Sequence, residues 1–145
     1  MLELALNGKA AALECEPDEM LIDILRREGL SSVRATCGIG ICGACTVLLD
    51  GEPVSGCLLL AGQASGCEVT TVEGLPAEHP VPLAFEAEHA FQCGWCTPGM
   101  VLTAKRLLEE NPSPSDEQIA DGLGGNLCRC GCYVKIRSAV HRAAA

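Results

Sequence analysis

Cysteines at 37, 42 and 45, followed across an eleven-residue gap by Cys57, leave this chain few ways to fold. Eleven of its 145 residues are cysteine. Three explanations compete: disulfides, zinc sites or iron–sulfur clusters. Disulfides fit poorly, because the count is odd. The first twenty residues also carry Glu3, Glu14, Glu16, Asp18 and Glu19 instead of a basic start and an apolar run. The Cys-x4-Cys-x2-Cys…Cys spacing is the plant-type arrangement for a [2Fe–2S] cluster. Glycines at 38, 40 and 43 thread the same loop. They allow the positive φ that turns backbone N–H groups toward a negative centre.

A second set pairs Cys93-x2-Cys96 with Cys128-x1-Cys130. Read from its residues alone, this set suits zinc as well as iron–sulfur. A Rieske centre is excluded, since no histidine stands in a Cys-x-His pattern. Cys15 and Cys67 read as small buried hydrophobes at strand ends. Cys132 stands two residues beyond Cys130 and competes with it as a ligand. His79, His89 and His141 read as ordinary surface residues, and the Glu86/Glu88 and Glu109/Glu110 pairs as solvated helix faces. No nucleophile triad, phosphate loop or GxGxxG is present, so no catalytic residue is expected in this chain.

The local signals split the chain in two. Leu2, Leu4 and Leu6 alternate before an Asn7-Gly8 turn, which predicts a hairpin with a second strand from Lys9 to Cys15. Asp18 is placed to cap a helix from Glu19 to Glu28, with Leu21, Ile24 and Leu25 inward and Gly29 as its stop. Short strands are expected over 46–49, 52–54 and 67–72. At Glu73 the pattern changes, and prolines 76, 80 and 82 read as a linker. Helices are then expected over 82–91 and 98–110, from a Ser115/Gln118 capping box through Ile119, and from Tyr133 onward. The expected domains are 1–74, mixed β-sheet with one helix, and 83–145, helical, joined by 75–82.

Charge and hydropathy narrow the partners. A net charge of −9 with no basic run beyond Arg26-Arg27 argues against nucleic acid. No apolar stretch reaches the roughly 18 residues of a membrane span. A cytoplasmic protein is expected, although a partner could carry an export signal for a complex.

Four motifs in order, CGIGICGACTVLLDG, QCGWCTPGM, NPSPSDEQI and GNLCRCGCY, resemble the iron–sulfur subunit of molybdenum hydroxylases. That is the xanthine dehydrogenase and aldehyde oxidoreductase family, in its separate-small-subunit form. The resemblance runs over nearly the whole chain. It implies an α+β protein: a plant-type ferredoxin-like (β-grasp) domain followed by a small four-helix [2Fe–2S] domain. Cys37, Cys42, Cys45 and Cys57 would hold the first cluster, and Cys93, Cys96, Cys128 and Cys130 the second. Gln92 matches a glutamine that hydrogen-bonds the pterin, and Cys130 matches the ligand nearest the pterin amino group. The implied partners are a large subunit holding molybdopterin, in plain or cytosine-dinucleotide form, and a medium FAD-binding subunit. The implied function is electron transfer from molybdopterin through two clusters to the flavin or another acceptor. One departure stands out: the family usually reads CRC-T-G-Y, whereas Gly131-Cys132 occupies the Thr-Gly positions here. Two other readings of the residues are a free-standing ferredoxin shuttle, which would not need the helical half, and a zinc-binding interaction module, which would be colourless.

Overall fold

The computed structural model describes all 145 residues. Strand β1 (Leu2–Leu6) turns through Asn7 and Gly8, both at positive φ, into antiparallel β2 (Lys9–Leu13). The alternation expected of β1 is met on its core face, where Leu2 and Leu4 are buried. Helix α1 (Leu21–Arg27) follows and buries Leu21, Ile22, Ile24 and Leu25. Strands β3 (Thr46–Leu49) and β4 (Glu52–Ser55) form a hairpin about Asp50-Gly51, and β5 (Glu68–Thr70) enters between β1 and β3. The sheet order is β2-β1-β5-β3-β4, with β1 parallel to β5 and the other pairs antiparallel. Pro53 therefore lies on an edge strand, where a missing N–H costs little.

Helices α2 (Pro80–Ala87), α3 (Thr97–Glu110), α4 (Asp116–Gly122) and α5 (Tyr133–Ala144) form the second half. Their apolar faces meet around Phe85, Met100, Ile119, Ile136 and Val140. The sheet and α1 have a separate core around Leu2, Ile24, Val47 and Val69. Helix α3 serves both halves: one face joins the helical core, and the helix also lies against β3 and β4. An ion pair between Arg106 and Glu52 crosses the same junction.

Several boundaries differ from expectation. Asp18 does not cap α1, whose N-cap is Met20 with no side-chain bond. The first helical N–H groups are satisfied instead by the 56–59 segment: Leu21 donates to Leu59 O at 2.8 Å and Ile22 to Gly56 O at 3.1 Å. Helix α2 begins at Pro80, inside the segment read as linker, and ends at Ala87 instead of continuing to Phe91. Pro80 needs no N–H in the first turn, and His79 Nδ1 accepts the Val81 N–H as a cap. His79 is thus a structural residue. His89 adopts φ 50°, which breaks the helix before Phe91. The Ser115/Gln118 box is present as expected. Cys15 and Cys67 are half-buried, not enclosed. No helix is long and apolar enough to cross a membrane.

Candidate metal centres

The first cysteine loop curls through positive φ at Gly38, Gly40 and Gly43. That curl aims three backbone N–H groups at Cys37 Sγ: Ile39 at 3.5 Å, Ile41 at 3.4 Å and Cys42 at 3.4 Å. Ala44 N–H donates to Cys42 Sγ at 3.5 Å, and Cys57 N–H to Cys45 Sγ at 3.4 Å. The N–H of Cys42, then those of Ile39 and Ile41, hold the Cys37 thiol down at about 6, so it is largely thiolate at neutral pH. Burial pushes the Cys45 thiol the other way, to about 11.

The second set forms where the start of α3 meets the turn before α5. Trp95 N–H donates to Cys93 Sγ and Cys132 N–H to Cys128 Sγ, each at 3.4 Å. The Trp95 N–H, then the Cys130 thiol, hold Cys93 below its ordinary value. Burial pushes Cys96 up to about 12. For Cys128, burial raises the thiol, but the Cys132 N–H and the neighbouring thiols pull it lower.

In each set the thiols lie close enough to shift one another: Cys37 with Cys42, Cys45 with Cys57, Cys93 with Cys130, and Cys128 with both Cys96 and Cys132. These neighbours were not readable from spacing. No group of three or more His, Cys, Asp or Glu side chains converges tightly enough for one metal ion. Four clustered thiols per set, with N–H groups aimed at sulfur, suit a [2Fe–2S] cluster. Cys132 is buried beside Cys128 and sits at the N-cap of α5. Gln92 is exposed, and its Nε2 donates to Cys130 O at 3.5 Å.

The two sets face each other across a cavity of about 470 Å³, lined by Cys42 and Ala44 from one half and Cys93, Cys96 and Cys128 from the other. Leu127 N–H donates to Cys42 O at 2.9 Å, which ties the residue before Cys128 directly to the first loop. Beside it, the buried Asn126 amide bonds both halves. Its Nδ2 donates to Gly43 O and Thr46 Oγ1, each at 3.2 Å, and its Oδ1 accepts from Thr103 Oγ1 at 2.9 Å. Asn126 follows the Gly124-Gly125 turn and is buried between the two halves, which nothing in the local sequence marks. Truncating it removes all three bonds, although Gly43 O keeps the Thr46 N–H and hydroxyl and Thr103 Oγ1 keeps Gly99 O. Asn126→Ala is expected to cost about 2–3 kcal/mol. Urea denaturation of the full chain checks this, and a change under about 0.5 kcal/mol would show that the amide does not hold the junction.

The chain matches two families in sequence: residues 4–70 match a 2Fe-2S iron-sulfur cluster binding domain, and residues 71–141 a [2Fe-2S] binding domain. Fold and sites together define a protein of two [2Fe–2S] domains. The nicotinate dehydrogenase small FeS subunit of Eubacterium barkeri is 48% identical over 98% of this chain and 93% of its own length. Among solved structures, quinoline 2-oxidoreductase from Pseudomonas putida 86 superposes with TM-score 0.94 at 42% identity, over 99% of this chain and 91% of that one. The aldehyde oxidoreductase of Desulfovibrio desulfuricans ATCC 27774 superposes with TM-score 0.95 at 43% identity, over 99% of this chain but 17% of that longer polypeptide. The chain belongs to the iron–sulfur subunits of the molybdenum hydroxylases, the xanthine dehydrogenase and aldehyde oxidoreductase family. It is the iron–sulfur subunit of an oxidoreductase and carries two [2Fe–2S] clusters.

Proposed function

We propose that this subunit passes electrons singly from a molybdopterin site in a large catalytic partner to a flavin subunit or other acceptor. In this reading Cys37, Cys42, Cys45 and Cys57 hold one cluster, and Cys93, Cys96, Cys128 and Cys130 hold the other. Each [2Fe–2S] centre, when bound, accepts and releases one electron at a time. The observation that carries the reading is that backbone N–H groups are aimed at cysteine sulfur in both sets, with the two sets joined by the Leu127–Cys42 hydrogen bond. The chain's own residues supply thiolates, N–H donors that favour added negative charge, and a fixed spacing between the two sites.

Gln92 and Cys130 lie together on the helical half, with Gln92 exposed. We assign them to the pterin contact, in plain or cytosine-dinucleotide form. Two of the relatives are named for nicotinate and quinoline, both N-heteroaromatic. We put that substrate class first for the complex, with its binding pocket on the partner. We place the complex in the cytoplasm, the compartment that keeps thiols reduced.

EPR of the dithionite-reduced full chain, with iron and sulfide counted on the same sample, tests the assignment. Two distinct [2Fe–2S] signals with about four irons and four sulfides per chain are expected. A single signal with half the iron would remove the helical half from the path.

A further inference from the structure

Arg34 belongs to the first half yet grips the second. Its backbone N–H donates to Ala44 O at 3.1 Å, which ties its main chain to the loop of Cys42 and Cys45. Its Nη1 donates to Gly94 O and, at 2.8 Å, to Trp95 O, both inside the Cys93–Cys96 loop. The guanidinium stacks on the Trp95 ring, 4.9 Å from its centroid. The Trp95 indole N–H reaches back to Thr36 Oγ1 at 2.8 Å, next to Cys37. The chain's one tryptophan and Arg34 thus clasp the two cysteine loops together.

We propose that Arg34 is a positioning residue that raises the reduction potential of the helical-domain cluster by orienting and polarising the Gly94–Trp95 peptide. The C=O and N–H of a trans peptide point in opposite directions. The carbonyl of this peptide, Gly94 O, accepts from Arg34, and its N–H, from Trp95, donates to Cys93 Sγ. Fixing the carbonyl on a cation therefore fixes the N–H on the sulfur. A charge-assisted bond at one end of a peptide strengthens the hydrogen bond at the other. An N–H aimed at ligand sulfur favours the reduced cluster, which carries one more negative charge than the oxidised one. Gly94 accommodates the geometry at φ 77°. Arg129 also lines the cavity, but it shows no such contact with the peptide. The effect is therefore assigned to Arg34 through bonds, not to a general basic field. A residue of one domain would then tune the centre of the other, and only when the halves are docked.

This inference rests on Cys93 being a ligand. It is tested by an EPR-monitored redox titration of the full chain with both clusters bound. The Cys130→Ala chain identifies which signal belongs to the helical domain. Arg34→Gln is expected to shift the one-electron equilibrium of that cluster about tenfold toward the oxidised form, a potential lower by about 59 mV. The first cluster should move far less. Trp95→Phe, which loses the indole N–H but keeps the backbone carbonyls for Arg34, should leave most of the potential in place. Arg34→Lys keeps the charge and should restore part of the shift. If Arg34→Gln takes up one cluster only, Arg34→Lys carries the test alone: a potential equal to that of the unmodified chain would overturn the proposal. Unchanged potentials in Arg34→Gln, or equal shifts of both clusters, would also overturn it. A single signal in the unmodified chain would instead strike the ligand assignment beneath it.

Discussion

The Cys130→Ala protein is expected to bind about two irons and two sulfides where the unmodified chain binds about four of each, and to show one [2Fe–2S] EPR signal instead of two. The reason lies in the placing of the thiols. Cys93 meets Cys130, and Cys96 meets Cys128. Removing Cys130 would leave three of the four assigned thiols to hold the cluster, with Cys93 deprived of its neighbour. Cys132 is close in sequence but does not replace it, because its thiol is turned to Cys128, which Cys96 already engages. Bringing Cys132 across would mean unwinding the start of α5, where its carbonyl accepts the Ile136 N–H at 2.9 Å. It would also strip the Cys132 N–H from Cys128 Sγ. The complementary Cys132→Gly protein should keep both signals, since it retains all four assigned thiols and that N–H. If iron stays near four in Cys130→Ala and falls in Cys132→Gly, the roles of the two cysteines are reversed.

The cysteine loops were legible in the sequence because their chemistry is local. Four ligands within 21 residues, threaded with glycine, carry their meaning in spacing alone. The Asn7-Gly8 turn and the Ser115/Gln118 box were legible for the same reason. Features set by distant partners were not. Asp18 looks like a cap, but Leu59 and Gly56 supply acceptors for the start of α1, so the helix begins later. Prolines 80 and 82 look like linker, yet Pro80 opens a helix that His79 caps. The second cysteine set was ambiguous between zinc and iron–sulfur because the pairing of Cys93 with Cys130 spans 37 residues of helix and turn. The junction was the least visible of all. Asn126 reaches Gly43 over 83 positions, and Arg34 reaches Trp95 over 61. Nothing in a single sequence marks those partners.

That junction is where a small change should do most harm to the fold. Gly43 sits at φ 71°, and a Cβ there would lie 2.3 Å from Gly125 O and 2.7 Å from Asn126 Nδ2. Gly43→Ala therefore meets two penalties. A left-handed backbone costs an L-residue roughly 1–2 kcal/mol. The clash falls largely on backbone and on a buried amide, which cannot swing aside as a surface side chain would, and adds about 1–3 kcal/mol. Two other glycines separate these terms. Gly38 has φ 69° with nothing within 4 Å of its Cβ position, so Gly38→Ala should show the strain alone. Gly99 has no positive φ, but its Cβ would lie 2.4 Å from Gly43 O, so Gly99→Ala should show the clash alone. Thermal unfolding followed by circular dichroism should rank Gly43→Ala as the most damaging, lowering Tm by roughly 10 °C at about 3 kcal/mol or more. Its melting should also split in two, because the sheet core and the helical core are separate and lose their common junction. If Gly43→Ala costs no more than Gly38→Ala, the two halves are held together elsewhere, and the close approach of the Gly43 loop to Gly125 and Asn126 is incidental.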